Sequence, residues 1–155
     1  MIDIGDKVPN VSLPDDAGNP VAFSDLEGQV YVLYFYPKDD TPGCTKEACA
    51  FRDNFAQLNR LDAKVFGISR DDAASHVKFK EKFNLNFPLL SDLDGAFCEA
   101  FGVWKLRNMY GKEFMGIERS TFLVGKDGKI AKAWRKVNVE GHVDEVVEAI
   151  EALKG

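Results

Sequence analysis

The stretch VYVLYFY at residues 30–36 is followed directly by PKDDTPGC at residues 37–44, and this run of sequence decides the fold. Its first seven residues are all apolar or aromatic, a pattern typical of a strand that is buried on both faces. Thr41 and Pro42 then predict the start of a helix, with Thr41 as the N-cap and Pro42 at the first helical position. The stretch therefore predicts a central strand that leads, through a short loop at its carboxyl end, into a helix.

Further strands and helices are predicted on both sides of this stretch. Strand patterns occur at 65–69, 121–124 and 129–134, and two short extended pieces flank the turn near the start of the chain, in 11–23. Helical patterns occur at 42–61, 73–83, 94–101 and 142–154, and SDLE at 24–27 is typical of a capping box that opens one helical turn. Strands that alternate with helices predict an α/β fold, a central mixed β-sheet flanked by helices on both faces. Because no repeat or linker interrupts the pattern, we expect a single domain over residues 1–155.

The composition argues against several classes of protein. A length of 155 residues, 45% of them hydrophobic, is enough to bury a full core. The net charge of -5 leaves no broad basic field, so we expect no binding to nucleic acid or to an anionic membrane. The first ten residues carry acids and no apolar run, and the longest apolar stretch is too short to span a bilayer. We therefore expect a cytoplasmic protein.

Cys44 lies in the first turn of the predicted helix, where reactive cysteines are favoured. Free backbone N–H groups and the positive end of the helix dipole stabilise the nucleophilic thiolate there. Ala48, Phe51, Phe55 and Leu58 recur at helical spacing from Cys44, so we expect Cys44 to head the buried face and its sulfur to lie in a shielded pocket. With three cysteines in a protein expected to be cytoplasmic, a redox or catalytic use is favoured over static disulfides.

Cys49 follows Cys44 by five residues on the same predicted helix. In an intact α-helix the two residues point about 140° apart, and their Cα atoms are roughly 8–9 Å apart. Since a disulfide usually requires about 4.4–6.8 Å between Cα atoms, the two cysteines can bond only if the first turns unwind. The alternative is that both are ordinary small apolar residues of an amphipathic helix, but the Thr41-Pro42 helix start argues against it for Cys44.

These motifs resemble a known family. PKDDTPGC at 37–44 resembles the PxxxTxxC signature of peroxiredoxins, and YFYPKDDTPGCTKEAC at 34–49 closely resembles the Q-type branch, also called bacterioferritin comigratory protein. FPLLSDLDG, FGVW and RSTFLVGKDGKI, beginning at 87, 101 and 119, are similar to later segments of that family. The resemblance implies a thioredoxin-like fold and the reduction of hydrogen peroxide or organic hydroperoxides. It further implies thioredoxin or a similar dithiol as reductant and a monomer. We expect neither a cofactor nor a metal.

The resemblance also implies roles for individual residues. Cys44 matches the peroxidatic cysteine, and Thr41 matches the hydroxyl that hydrogen-bonds the sulfur and the peroxide. Pro37 matches the residue that shapes and shields the pocket. Arg119 matches the arginine that stabilises the thiolate and orients the peroxide, and Glu47 matches the glutamate that positions this arginine. The alternatives are that Arg119 is a surface residue at a strand start and that Glu47 is a solvated helix residue.

The position of the resolving cysteine varies within the Q-type branch. Cys49 matches the variant that carries this cysteine five residues along the same helix. The next predicted helix, at 73–83, contains no cysteine, and none follows Cys98. We interpret Cys98 as a structural thiol.

Four rival enzyme or site classes fit the sequence less well, and a fifth remains open. A thioredoxin-type oxidoreductase requires C-x-x-C, whereas this chain has C-x4-C. His76 and His142 have no metal-ligand spacing to the cysteine pair, and a Cys/His nucleophilic dyad is equally weak. GKDG at 125–128 lacks the P-loop pattern. A non-enzymatic redox sensor or holdase would use the same cysteine oxidation, and only turnover with a reductant separates it from a peroxidase.

Overall fold

The computed structural model describes residues 1–155, which form nine strands and five α-helices. The strands are β1 (Ser12–Pro14), β2 (Pro20–Ala22), β3 (Val30–Phe35), β4 (Ala63–Ser69), β5 (Leu89–Ser91), β6 (Trp104–Met109), β7 (Lys112–Ile117), β8 (Ser120–Val124) and β9 (Ile130–Arg135). The helices are α1 (Pro42–Asp53), α2 (Phe55–Arg60), α3 (Ala73–Phe83), α4 (Ala96–Ala100) and α5 (His142–Lys154). None of the helices combines the length and the apolarity that crossing a bilayer requires.

The main sheet has five strands in the order β5-β4-β3-β8-β9. β3 pairs in parallel with β4 and antiparallel with β8, so the sheet is mixed. Every residue of β3 is buried, as its continuous apolar sequence predicts for a central strand. At the end of β3, Phe35 lies opposite Ile68 of β4 and Ser120 of β8. This register brings the chain after β3 next to the start of β8.

Alternate residues of β3 face two separate hydrophobic clusters. Val32 and Tyr34 belong to the cluster that α1, α2, α3 and α5 cover. Leu33 and Phe35 belong to the opposite cluster, which α4, a 3₁₀ turn and the start of the chain cover. The predicted α/β architecture, a mixed sheet flanked by helices on both faces in a thioredoxin-like fold, is confirmed.

Two local predictions are wrong. The turn near Ser24 is a 3₁₀ helix over Phe23–Leu26 without a side-chain capping hydrogen bond, and both of its terminal residues are buried. The helix predicted over 42–61 is interrupted at Asn54, whose side-chain amide and backbone N–H both donate to the carbonyl of Ala50. Phe55, expected on the buried face, directly follows this break and is 43% exposed, whereas Leu58, expected on the same face, is buried as predicted.

The sequence patterns did not predict β5 or the hairpin of β6 and β7. The hairpin pairs Trp104 with Ile117 and Met109 with Lys112, outside the main sheet. Tyr110 and Gly111 connect the strands with positive φ angles, as a two-residue hairpin turn requires. Because most of its residues are exposed on both faces, the hairpin lacks the alternation that identifies a half-buried strand.

The different burial of Phe51 and Phe55, on either side of the break at Asn54, predicts different effects of their replacement on stability. Phe51→Ala should lower the free energy of unfolding by about 3–5 kcal/mol, since Phe51 is completely buried against Tyr34 and Phe87. Phe55→Ala, four residues later, should cost only about 1–2 kcal/mol because 43% of this residue is already exposed. Urea denaturation of both variants measures the difference. Equal losses would place Phe55 in the core and contradict its partial exposure.

Candidate active site

The first turn of α1 follows β3 and places Cys44 near the carboxyl end of this central strand. Pro42 occupies the first helical turn, Thr41 is the N-cap residue, and Cys44 is 1% exposed. The N-cap position is as predicted, but the Thr41 side chain does not cap the helix. Its hydroxyl donates to the backbone carbonyl of Lys38 at 2.8 Å, and no hydrogen bond joins it to the sulfur. The backbone N–H groups of Gly43 and Cys44 therefore keep no partner within the helix.

Arg119, just before β8, bridges two residues of α1. Its Nη2 lies 3.3 Å from the sulfur of Cys44, and its Nη1 donates to Oε1 of Glu47 at 2.7 Å. The side chains of Arg119 and Glu47 are 15% and 0% exposed. The alternatives of a surface arginine and of a solvated glutamate are therefore wrong. A cation from the residue before β8 thus meets a thiol and a carboxyl group of α1 in one buried cluster.

Burial controls the charges in this cluster. Burial raises the pKa of Glu47 to about 7, and the ion pair with Arg119 offsets only part of this rise. The second carboxylate oxygen of Glu47 is buried without a hydrogen-bond partner, which is consistent with a costly negative charge. Burial opposes the charge of Arg119 as well, but the charges and hydrogen bonds of Glu47 and Cys44 raise the pKa of Arg119 above its ordinary value. Arg119 therefore stays cationic beside the sulfur.

Gly43 permits the close approach of Arg119. A Cβ atom at this position would lie 3.0 Å from Nη2 of Arg119, tighter than ordinary contacts. No sequence pattern discussed above pointed to Gly43. The available signal was a glycine in the first turn of a helix, where its low helix propensity has no local reason.

Two further side chains near the cluster escaped the sequence analysis. The hydroxyl of Tyr34 is buried without a partner, and burial together with the negative charges of Glu47 and Cys44 raises its pKa well above the ordinary range. His142 lies 2.8 Å, Nε2 to Oγ1, from Thr121 of β8. Burial and the charge of Arg119 lower the pKa of His142 to about 4, so its ring is neutral at neutral pH. Since the phenol of Tyr34 and the imidazole of His142 are both neutral at neutral pH, Arg119 supplies the positive charge at Cys44.

A cleft of about 730 Å³ opens beside the sulfur. Pro37, Thr41 and Arg119 line it together with Cys44, and the far wall comes from the β6–β7 hairpin and neighbouring loops. Its other lining residues are Lys38, Pro42, Gly43, Arg70, Leu93, Trp104, Arg107, Met109, Phe114, Met115, Gly116 and Ile117. Another cleft, of about 580 Å³, lies around 125–131 at the opposite end of β3 and is lined by no cysteine.

The three cysteines occupy different environments, and all are free thiols. Cys49 is partly buried on the turn of α1 that follows Cys44. Cys98 is completely buried in α4, in the hydrophobic cluster on the other face of the sheet. Burial and the neighbouring carboxylate of Asp92 raise the pKa of Cys98 far above its ordinary value. The structure thus places Cys49, and not Cys98, on the same element as Cys44.

Comparison with known proteins agrees with this geometry. The AhpC/TSA family matches residues 4–133. Peroxiredoxin Bcp of Bacillus subtilis is 54% identical over 153 residues, covering 99% of this chain and 96% of that protein. Peroxiredoxin Bcp of Escherichia coli is 45% identical over 143 residues, covering 92% of each chain.

Solved structures give the same relationship. The Xanthomonas campestris bacterioferritin comigratory protein, described for its alkyl peroxide reduction activity, superposes with a TM-score of 0.92. It is 42% identical, and the match covers 99% of this chain and 100% of that one. This chain therefore belongs to the AhpC/TSA family, in its Q-type peroxiredoxin branch, and is a thiol-dependent peroxidase with a peroxide substrate and a dithiol reductant.

Proposed function

We propose that Cys44 is the peroxidatic residue, that Cys49 resolves its oxidised form, and that thioredoxin or a similar dithiol protein returns the enzyme to the reduced state. The observation that carries the proposal is the position of Arg119, 3.3 Å from the sulfur and 2.7 Å from Glu47. A fixed cation beside a thiol in a helix first turn stabilises the thiolate and the negative charge that spreads over sulfur and oxygen during attack. The substrates are hydrogen peroxide and organic hydroperoxides.

In the first step the Cys44 thiolate attacks the terminal oxygen of the hydroperoxide. A sulfur–oxygen bond forms, the oxygen–oxygen bond breaks, and the leaving alkoxide or hydroxide takes up a proton. Arg119 and the free N–H groups of the first turn face the developing charge. The hydroxyl of Thr41, whose hydrogen is donated to Lys38, keeps its lone pairs to accept the hydroperoxide O–H. Pro37 lines the cleft and adds no donor, so it shields the sulfur.

In the second step the thiol of Cys49 attacks the sulfur of the Cys44 sulfenic acid. A disulfide forms and water leaves, and a dithiol partner later reduces the disulfide by exchange. Within a helix the two Cα atoms are roughly 8–9 Å apart, beyond the usual disulfide range of about 4.4–6.8 Å. We infer that the first turns of α1 unwind for this step.

We also propose that the chain is one domain, a cytoplasmic monomer that binds neither nucleic acid nor membranes. The net charge of -5 supports the last two points.

Single cysteine replacements test the assignment of roles. Cys44→Ser should abolish peroxide consumption, because a serine hydroxyl is not ionised at neutral pH and cannot form a sulfenic acid. Cys49→Ser should still be oxidised once but should lose turnover with thioredoxin. Cys98→Ser is the matched control and should retain nearly full turnover. NADPH consumption with thioredoxin and its reductase measures all three, and turnover in Cys44→Ser near the wild-type rate would refute the nucleophile.

The raised pKa of Glu47 predicts a pH-dependent contribution to stability. The folded protein, with a pKa of about 7, holds this proton more tightly than the unfolded chain, whose glutamates have the ordinary value of 4.5. The stabilisation is therefore complete below about pH 4.5 and is lost as the pH rises through about 7. Between pH 5 and pH 8, the wild type should lose on the order of 1–3 kcal/mol more unfolding free energy than Glu47→Gln, measured by denaturation. A larger loss in Glu47→Gln would show that the ion pair outweighs burial.

The spacing of the two cysteines predicts a local change on oxidation. Amide hydrogen exchange should increase across roughly residues 42–52 in the disulfide form relative to the dithiol form, while the main sheet changes little. Mass spectrometry of peptides measures the exchange and confirms the bond between Cys44 and Cys49. Equal protection of this segment in both forms, with the bond present, is incompatible with unwinding.

A further inference from the structure

A buried polar network lies beside the loop between β3 and α1, outside the cluster at Cys44. Asp39 of this loop is 6% exposed and His76 of α3 is 0% exposed. The carboxylate of Asp39 accepts hydrogen bonds from the hydroxyls of Tyr36 at 2.5 Å and Ser75 at 2.8 Å. Its Oδ2 also lies 2.7 Å from Nδ1 of His76, whose Nε2 is 3.1 Å from the carbonyl oxygen of Leu90. The imidazole thus joins the loop to β5 through the start of α3.

The backbone of Asp39 is held as firmly as its side chain. Its N–H donates to Oδ2 of Asp71 at 2.8 Å, and the same oxygen accepts from the hydroxyl of Ser69 at 2.8 Å. Asp40, the next residue, has a φ of 56°, and Thr41 is the N-cap residue of α1. The network therefore fixes the chain up to the residue before the change of direction into the helix.

The C-terminal end of α1 is attached to the C-terminal end of α3, the helix that carries His76 near its start. Nη1 of Arg52 donates to the carbonyl of Phe83 at 2.6 Å, and the side-chain amide of Asn86 donates to the carbonyl of Arg52 at 3.3 Å. Phe51 is completely buried beside them. Helix α3 thus holds both ends of the segment 40–51, which contains Cys44 and Cys49.

We propose that His76 is a positioning residue that holds the first turn of α1 in its folded form through Asp39. This inference rests on the proposed roles of Cys44 and Cys49. The folded turn reacts with peroxide, whereas the unwound turn forms the disulfide. By fixing the chain that leads into the helix, His76 sets how long the Cys44 sulfenic acid stays folded before Cys49 reaches it.

Release of this anchor affects the two chemical steps differently. If the folded turn predominates, a tenfold increase in the small unwound fraction speeds disulfide formation about tenfold but slows peroxide attack little. A second hydroperoxide can oxidise the sulfenic acid to a sulfinic acid while the turn stays folded, with the oxygen–oxygen bond again breaking. Faster resolution therefore lowers the sulfinic fraction.

His76→Gln tests the proposal, because one amide group cannot span from Asp39 to the carbonyl of Leu90. Ser75→Ala, which removes one hydrogen bond to Asp39, is a milder second variant. Lys80→Met is the matched control, since Lys80 lies on α3 but pairs with Asp16 near the start of the chain. Rapid-quench mass spectrometry after mixing with hydrogen peroxide follows sulfenic acid, disulfide and sulfinic acid.

Disulfide formation should be about tenfold faster in His76→Gln, with a correspondingly smaller sulfinic fraction at high peroxide. Ser75→Ala should change the rate of disulfide formation and the sulfinic fraction in the same directions, but by less. Lys80→Met should lower thermal stability without changing that rate or that fraction. Wild-type rates in both α3 variants that touch Asp39, with the Cys44–Cys49 bond confirmed, would overturn the role of His76. Absence of that bond in the wild type would instead refute the proposed function.

Discussion

The guanidinium of Arg119 lies between the sulfur of Cys44 and the carboxylate of Glu47, and the arrangement of the candidate active site depends on these two contacts. Two of the three groups come from successive turns of α1, and the third comes from the residue before β8. They meet because β3 and β8 are neighbours and because Gly43 leaves room for the guanidinium. A buried carboxylate beside a reactive thiol is unfavourable by itself, since both become negative. Arg119 makes the combination stable by supplying one positive charge to both.

The same turn of α1 has two incompatible tasks in the proposed mechanism. Attack on the peroxide requires the folded turn, whose free N–H groups and Arg119 face the sulfur, whereas disulfide formation requires that turn to unwind. The free-energy difference between the folded and the unwound form must therefore be small, and the structural change must be confined to one segment. The structure provides such limits, since the Asp39 network and the Arg52–Phe83 hydrogen bond hold the chain on either side. Between these two attachments lies Glu47, which has one buried oxygen without a partner. Because its buried carboxyl group becomes negatively charged as the pH rises through about 7, a higher pH favours the unwinding of α1.

Local patterns in the sequence predicted the central strand, the helix start at Pro42 and the burial of Cys44, because each depends on neighbouring residues. The contact between Arg119 and Cys44 joins residues 75 positions apart, so no local pattern reveals it and only the family resemblance implied it. Helical periodicity placed Phe55 on the buried face because it does not detect the break at Asn54, whose side-chain amide donates to the carbonyl of Ala50. The Asp39–His76 pair escaped for the same reason as Arg119: two polar residues 37 positions apart become partners only in the folded chain.

Cys44 and Cys98 show how far the environment decides what a thiol does. Both are almost completely buried, on opposite faces of one sheet. Cys98 lies among phenylalanines next to Asp92, and burial and that carboxylate make its thiolate unfavourable. Cys44 lies at the start of a helix, with a guanidinium 3.3 Å from its sulfur and a cleft in front of it. Burial excludes water from both thiols, but only at Cys44 does the protein replace the lost solvation with fixed donors and a positive charge.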